Sequence, residues 1–175
     1  SREEQDVFAL ASHQKAAAAA ANGGFQDEIV TVEINGRRTT TQVDTDEGPR
    51  PDASMDGLEK LRAAFPPGTT VTAGNSAQIS DGAAALVIGS ETRANELGIE
   101  PMARIDDYAW VANDTARLFE APALVVDRLL QRGGLTLSDV DLLELNEAFA
   151  AQAVANGKAL EWDEDKVNVK GGAIA

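Results

Sequence analysis

The beginning of the chain places apolar and polar side chains at helical spacing. Val7 and Leu10 start an apolar series that continues through an alanine-rich run, as on one face of a helix. Ser1 and Glu4 fit a capping box at the start, and Asn22-Gly23-Gly24 is typical of a helix end. The pattern therefore predicts one long helix at the beginning of the chain.

A period of two follows this helix. Val30, Val32 and Ile34 alternate with polar residues, which is typical of a strand. Asn35-Gly36 predicts a tight hairpin turn with positive φ angles, followed by a return strand through Val43. We therefore expect an antiparallel strand pair.

The next stretch breaks the periodicity. Residues 44–54 are rich in Asp, Glu, Gly, Pro and Arg, which indicates a loop. Residues 57–65 predict a short helix that stops at Pro66-Pro67-Gly68. No internal repeat is visible.

The second half of the chain predicts alternating strands and helices. Strands are expected at residues 82–88, 102–110 and 140–145, the first of them small and apolar enough to be buried on both faces. Helices are expected at residues 91–97, from Pro122 to Gly133-Gly134, and at 147–160. Because crossover connections place helices over a sheet, this order indicates a layered α/β fold.

Charge narrows the possible partners. The 175 residues carry 15 Lys and Arg against 29 Asp and Glu, a formal net charge of −14. This charge repels phosphate backbones and anionic lipid surfaces, so we expect neither nucleic acid nor membrane as a partner. An anionic ligand would need a local basic cluster, for which one stretch offers five side chains, although scattered solvated charges are the alternative. They are Arg37, Arg38, Arg50, Lys60 and Arg62.

Residue content limits the chemistry further. Without cysteine, these residues form no disulfide, thiolate metal site or cysteine acyl-enzyme, and a single histidine argues against zinc. No apolar run approaches the ~20 residues that span a bilayer, and the start lacks the basic-then-apolar pattern of a signal peptide. We therefore expect a cytoplasmic protein without a metal or other cofactor.

Asn146 is the first candidate site residue. It follows the predicted strand at 140–145 and precedes a predicted helix. Its amide therefore either caps that helix or points from the carboxyl end of the strand, where ligands of α/β sheets bind. The residue pattern leaves both alternatives open.

Three parts of the chain, the first of them made of two stretches, resemble the thiolase family. They are Leu-Glu-Leu-Asn-Glu-Ala-Phe-Ala at 143–150 with Val-Asn-Val-Lys-Gly-Gly-Ala-Ile-Ala at 167–175, Thr-Val-Thr-Ala-Gly-Asn-Ser-Ala-Gln-Ile-Ser-Asp-Gly at 70–82, and Asp-Glu-Gly-Pro-Arg at 46–50. In that family the stretch matched by 167–175 runs into a Gly-His-Pro that carries the catalytic base. Cysteines supply the nucleophile and the proton transfer. The resemblance implies an internal thiolase fragment without these groups.

The resemblance assigns roles around Asn146. This asparagine would hold a water that stabilises negative charge on the thioester oxygen of acetyl-CoA. Glu147 would be a structural or network residue beside it. Ala148 and Phe149 would line the acyl and pantetheine channel, with an ordinary core aromatic as the alternative for Phe149.

The segment at 70–82 would hold the pantetheine arm of coenzyme A, mainly through Ala73 and Gly74. The alternative is a small-residue loop that only permits close packing. At the position where thiolases commonly have serine, this chain has Ala77, and the hydroxyl lies one residue earlier at Ser76.

The segment at 46–50 would bring Arg50 to the nucleotide end of coenzyme A, while Phe65 packs beside the pantetheine. Alternatively, Arg50 pairs with Asp46 or Glu47. His13 matches a non-catalytic position and is interpreted as a surface or packing residue.

At the level of the fold, the resemblance implies two repeated α/β/α/β/α halves, only partly represented here. Residues 1–79 would belong to the inserted loop domain, 80–100 to the end of the first half and 101–175 to the start of the second. The implied reaction converts a 3-oxoacyl-CoA and coenzyme A to acyl-CoA and acetyl-CoA in a homodimer or homotetramer. The rival hypothesis is a non-catalytic module that binds acyl-CoA or oligomerises.

Overall fold

The computed structural model describes residues 1–175 and contains five α-helices and one β-hairpin. The helices are α1 (Arg2–Ala21), α2 (Met55–Glu59), α3 (Glu91–Leu97), α4 (Ala121–Gly133) and α5 (Ala150–Leu160), and the strands are β1 (Val32–Asn35) and β2 (Thr40–Val43). Short 3-10 turns connect several of them. Helix α1 packs against both α2 and α5, so it lies at the centre of the packed helices.

Helix α1 begins at the predicted capping box. The hydroxyl of Ser1 accepts a hydrogen bond from the backbone N–H of Glu4 at 3.2 Å. The buried face differs from the predicted one, because Val7 is exposed whereas polar Asp6, Ser12 and His13 are buried together with small alanines. The prediction of the helix is therefore confirmed, whereas the prediction of its buried face was wrong.

The hairpin forms in the predicted region, with Val32 opposite Val43 and Asn35 opposite Thr40. Its turn is wider than predicted, since residues 36–39 all lie between the strands. The backbone N–H of Gly36 donates to the carbonyl of Thr39 at 2.9 Å, and neither Asn35 nor Gly36 has a positive φ. The prediction of a tight positive-φ turn was wrong because strand pairing already stops at Asn35.

Helix α2 is shorter and earlier than the helix predicted at 57–65. It starts after Ser54, whose hydroxyl accepts from the backbone N–H of Gly57. After residue 60 the backbone becomes extended. Ala63 pairs with Thr72, and the N–H of Ala64 donates to the carbonyl of Val71 at 2.8 Å. This pairing brings the segment that contains Phe65 beside the start of the 70–82 loop.

Helices α3 and α4 have the predicted boundaries. Gly98 and Gly134 end them in the left-handed conformation, each with φ of 65°. Helix α5 begins at Ala150, three residues after the predicted start at 147. The delay has a physical cause: Phe149 is extended and forms an antiparallel bridge with Ser76.

The three strands predicted in the second half do not form. Residues 140–145 contribute one parallel bridge, between Leu143 and Val167. Residues 82–88 and 102–110 are unpaired, with Leu86 89% and Trp110 74% exposed. A strand is stabilised by hydrogen bonds to neighbouring strands, and no segment of the 175 residues pairs with 82–88 or 102–110.

The buried core is small for a chain of this length. Its main cluster joins Ala9 of α1, Leu58 of α2, Ala150 of α5 and Ile174. The accessible surface is 13197 Å², whereas a compact monomer of this mass exposes about 8,200 Å². Exposed apolar side chains of the unpaired second-half segments, such as Leu86, Val87 and Met102, contribute to the excess.

No helix combines the length and the apolar character that crossing a bilayer requires. No three His, Asp or Glu side chains are grouped so that they could share a metal ion.

Candidate functional site

The three segments singled out in the sequence meet at one face of the ordered core. The backbone N–H of Ala77 donates to the carbonyl of Ala148 at 3.0 Å, and the N–H of Gln78 donates to the carbonyl of Ala173 at 3.3 Å. A Cβ on Gly48 would lie 2.6 Å from the Gln78 side-chain nitrogen and 2.8 Å from the Ala175 carbonyl oxygen. The loop at 73–78 is thus the common neighbour of the other two segments.

Asn146 is exposed and its amide makes no hydrogen bond within the chain. Helix α5 begins four residues later, with Phe149 at its N-cap and no side-chain capping bond. The capping alternative for Asn146 is therefore excluded by the structure. The amide remains available to a ligand or water.

Glu147, by contrast, is fully engaged within the protein. Its carboxylate is 1% exposed and accepts three hydrogen bonds from groups far apart in sequence. The donors are the Ser12 hydroxyl at 2.6 Å, the Asn168 amide at 2.8 Å and the Ile174 backbone N–H at 3.2 Å. The structure confirms the expected network role of Glu147.

The partners of Glu147 extend this network. The Ser12 hydroxyl also accepts from the backbone N–H of Gly172 at 3.1 Å. The Asn168 side chain holds both polar backbone groups of Leu145, accepting from the N–H at 2.8 Å and donating to the carbonyl at 2.9 Å. Because Leu145 and Glu147 flank Asn146, this network fixes the backbone on both sides of the candidate amide.

Close packing fixes the same region. A Cβ on Gly172 would lie 2.4 Å from the Glu147 carboxyl carbon, and a Cβ on Gly171 would lie 2.6 Å from the Ser12 carbonyl oxygen. Gly171 also has a φ of 81°, which favours glycine. Because Gly171 and Gly172 have no Cβ, the backbone of the 167–175 stretch can lie directly against α1 and the Glu147 carboxylate.

A second buried network supports the 70–82 loop. Asn75 is fully buried, donating its amide to the Asp6 carboxylate at 2.8 Å and accepting from the backbone N–H of Thr72 at 2.8 Å. The other Asp6 oxygen binds the Arg2 guanidinium at 2.6 Å. Helix α1 thereby anchors the loop through its first two turns.

The loop residues differ in how accessible they are. Ala73 is exposed, whereas Gly74 is backed by leucines, since a Cβ there would lie 2.5 Å from Leu61 and 2.6 Å from Leu58. Gly74 is therefore closely packed on the side that faces these leucines and is partly exposed elsewhere. The Ser76 hydroxyl donates to the Thr72 carbonyl at 2.6 Å, so its proton is not free for a ligand.

Three phenylalanines form an aromatic wall beside the loop. Phe149 lies in edge contact with Phe65, at a centroid distance of 6.2 Å, and with Phe119, at 5.3 Å. Phe149 is half-buried, which agrees with both its channel and its core interpretation, while Phe65 is 63% exposed. Phe119 was not anticipated, because it precedes α4 without a recognisable motif.

Arg50 is exposed and forms no ion pair. The proposed pairing with Asp46 or Glu47 is therefore wrong: the Asp46 carboxylate instead accepts from the backbone N–H of Gly48 at 3.3 Å. The guanidinium is left as a free local cation in an acidic chain.

His13 is buried behind Arg50. Its Nδ1 accepts a hydrogen bond from the backbone N–H of Arg50 at 3.3 Å. Burial lowers the pKa of His13 below its ordinary 6.5, and the Arg50 charge lowers it further, against smaller opposing effects of Glu147 and Asp52. The packing interpretation of His13 is confirmed and the surface interpretation is wrong.

Ser12, Asn168, Asn75 and Asp6 are the network residues that sequence reasoning missed. Asn75 and Asn168 lie inside the recognised segments, but only their three-dimensional partners distinguish them from exposed loop amides. The buried positions of α1 are small or polar, so an apolar periodicity could not reveal Ser12 or Asp6.

Comparisons with known proteins give the family. Family models described as thiolase, N-terminal domain, and thiolase, C-terminal domain, match residues 1–92 and 99–175. This chain therefore belongs to the thiolase family. The boundaries expected at 79 and 100 stay a prediction.

Two relatives illustrate the similarity in sequence. The chain is 51% identical to a protein of Escherichia coli K12 named "Probable acetyl-CoA acetyltransferase" and 48% identical to the acetyl-CoA acetyltransferase of Shinella zoogloeoides, over all of this chain in both cases. It spans 44% and 45% of their lengths. The chain thus corresponds to slightly less than half of these relatives.

Solved structures show the same correspondence in three dimensions. The TM-score is 0.96 to the Bacillus anthracis acetyl-CoA acetyltransferase, at 42% identity, covering 99% of this chain and 44% of that one. It is 0.94 to human mitochondrial 3-ketoacyl-CoA thiolase, at 39% identity, covering 100% of this chain and 44% of that one. These matches confirm the partly represented α/β thiolase fold.

Proposed function

We propose that this chain supplies the acyl-CoA-binding face of a thiolase, an acyltransferase that cleaves or forms a carbon-carbon bond between acyl groups carried on coenzyme A. The observation that carries the proposal is the backbone contact between the 73–78 loop and residues 148–149, beside an exposed amide at Asn146. A family relationship over nearly the whole chain supports the same function.

The reaction proceeds in two half-reactions. A cysteine thiolate attacks the C3 carbonyl carbon of a 3-oxoacyl-CoA, the bond between C2 and C3 breaks, and the departing acetyl-CoA carbanion takes up a proton. The thiol of coenzyme A then loses a proton, attacks the acyl-cysteine thioester and leaves as acyl-CoA, which restores the thiolate. Splitting the reaction in this way lowers each barrier. These 175 residues contain no cysteine, so the thiolate comes from elsewhere in the enzyme.

Asn146 contributes charge stabilisation in this proposal. Its free amide holds a water that donates a hydrogen bond to the thioester oxygen, where negative charge develops as the carbanion forms. The networks at Glu147 and Asn168 keep the backbone on both sides of this amide in place. A fixed donor needs little reorganisation at the moment of reaction, which is why the surrounding network matters to the rate.

The remaining candidates bind the carrier. Ala73, Gly74 and Ala77 offer a small surface for the pantetheine arm, with Ala148 and the half-exposed ring edges of the aromatic wall at its side. Ser76 contributes as a hydrogen-bond acceptor, because its proton is already donated to Thr72. The free guanidinium of Arg50 is suited to the phosphates at the nucleotide end.

Thiolytic cleavage of acetoacetyl-CoA by the full-length protein tests the proposal. Replacing Asn146 by alanine should lower kcat by about 10²- to 10³-fold, the usual effect of losing one oxyanion donor. Asn95→Ala is the matched control, since Asn95 is exposed on α3 and its side chain makes no hydrogen bond.

Two outcomes would contradict the proposal. Equal rates for the Asn146 and Asn95 variants would remove Asn146 from the catalytic site. No cleavage by the unmodified full-length protein, together with retained affinity for acyl-CoA, would favour the rival hypothesis of a non-catalytic acyl-CoA-binding module.

The proposal extends to assembly and location. One solved relative is described as a dimeric peroxisomal thiolase of Saccharomyces cerevisiae, which supports a homodimer here, with a homotetramer as the alternative. A cytoplasmic location and a role in fatty acid metabolism belong to the same proposal. Sedimentation of the full-length protein and fractionation of its host cells would test them.

A further inference from the structure

His13 ties α1 to the loop that carries Arg50. The imidazole is 4% exposed, and its Nδ1 accepts the backbone N–H of a residue 37 positions away in sequence. A buried histidine that only filled space would not need to face a backbone donor in another segment. The contact fixes where the chain passes at Arg50.

The same loop has one other close fixed point. At Gly48 a Cβ would lie 2.6 Å from the Gln78 side-chain nitrogen and 2.8 Å from the Ala175 carbonyl oxygen, so the backbone there is pressed against the site segments. Two residues later, the bond to His13 holds the loop against α1. The exposed guanidinium of Arg50 thus projects from a backbone held at two points.

We propose that His13 is a positioning residue for Arg50, whose Nδ1 holds the backbone so that the guanidinium meets the phosphates of coenzyme A. The inference rests on the proposed function, because that function gives Arg50 a ligand. It adds a second residue, on a different element, to the binding of the nucleotide end.

The tautomer follows from the hydrogen bond. Because the Arg50 N–H points at Nδ1, the single proton of the neutral ring is on Nε2. The charged groups facing the ring are Arg50, Glu147 and Asp52, and burial together with Arg50 lowers the pKa of His13, so the ring is neutral near pH 7. Once acid protonates Nδ1, this nitrogen becomes a donor and the bond to Arg50 is lost.

Two substitutions separate position from packing. In His13→Asn, the side-chain oxygen takes about the place of Nδ1 and still accepts from Arg50, but it does not titrate. In His13→Leu, the apolar volume is kept and the acceptor is lost. Both are made in the full-length protein, and the affinity for coenzyme A is measured by calorimetry at pH 7.5 and at a pH below the pKa of His13, which NMR titration of the imidazole locates in the same protein.

His13→Leu should weaken coenzyme A binding about 3- to 10-fold at pH 7.5, the effect of one neutral hydrogen bond. His13→Asn should bind like the unmodified protein at pH 7.5. It should also lose less affinity on going to the lower pH, since the ligand phosphates titrate equally in both proteins and only the histidine differs. Equal pH ratios for the two proteins would overturn the proposal.

Arg50→Ala distinguishes a failure of this inference from a failure of the proposed function. In that background His13→Leu should have no further effect on affinity, whereas a purely structural role would lower affinity in both backgrounds. Weaker binding by Arg50→Ala with none by His13→Leu would overturn the role of His13 alone. Unchanged binding by Arg50→Ala would remove the proposed phosphate contact itself. If His13→Leu does not fold, the pH comparison with His13→Asn decides.

Discussion

Replacing Glu147 by glutamine tests the buried network most sharply. The substitution preserves shape, and it exchanges one acceptor oxygen for an NH₂ group that only donates. Two donors, the Ser12 hydroxyl and the Ile174 N–H, point at one carboxylate oxygen, so the glutamine oxygen takes that position. Its nitrogen then faces the Asn168 amide nitrogen, which lies 2.8 Å from the second oxygen.

Asn168 has no way to relieve this conflict by turning its amide over. Its oxygen already accepts from the Leu145 N–H and its nitrogen donates to the Leu145 carbonyl, so a flip breaks both bonds. One hydrogen bond to a charged group is therefore lost, which corresponds to about 1.5–3 kcal/mol of folding free energy.

The assay is urea unfolding of the full-length protein, with Glu144→Gln as the matched control. Glu144 is exposed and its side chain makes no hydrogen bond, so this variant has the same charge change without the network. Glu147→Gln should be less stable than Glu144→Gln by about 1.5–3 kcal/mol. Equal stability of the two variants would refute the network as described.

Further predictions concern packing, binding and the isolated polypeptide. Gly171→Ala places a Cβ 2.6 Å from the Ser12 carbonyl oxygen and 2.7 Å from the Ala16 backbone nitrogen, at a positive φ, and should cost about 1–3 kcal/mol in urea unfolding, unlike Gly82→Ala, where nothing lies within 4 Å. Arg50→Ala should weaken coenzyme A binding by about 1–3 kcal/mol in calorimetry, and an equal loss for exposed Arg38→Ala would indicate general electrostatics instead. The isolated 175-residue polypeptide should give background rates with acetoacetyl-CoA, because it has no cysteine, so turnover by it would contradict the proposed acyl-enzyme. It should also bind a hydrophobic dye through its exposed apolar segments, and absence of dye binding would contradict their exposure.

Local signals predicted the helices well. Capping residues, left-handed glycines and a proline near the helix start depend on neighbours a few positions away, so Ser1, Gly98, Pro122 and Gly134 set boundaries that the structure confirms. The start of α5 was misplaced because Phe149 pairs with Ser76, a contact between residues 73 positions apart that no local pattern contains.

Strands depend on partners as well as on pattern. Residues 82–88 and 102–110 have the composition of strands, but no other part of this chain pairs with them, and their apolar side chains stay exposed. The sequence therefore predicted the strand propensity of these segments correctly, but it could not show that they have no pairing partner within the 175 residues.

For the candidate site, the sequence predicted the segments better than the individual roles. Asn146 and Arg50 remain free, as a binding role requires, and the capping and ion-pair alternatives are excluded. Gly74 packs against leucines on one side and stays partly exposed, whereas the Ser76 proton is donated within the protein. The buried partners of Glu147 and Asn75 come from α1, and only the folded chain brings them together.

The most direct test of the account is a crystal structure of the full-length protein with coenzyme A bound. We predict the pantetheine arm against Ala73 and Gly74, with the Phe149 ring beside it, the nucleotide phosphates within hydrogen-bond distance of the Arg50 guanidinium, and a water on the Asn146 amide. Coenzyme A bound at a face that contacts neither the 73–78 loop nor residues 146–149 would contradict the central claim.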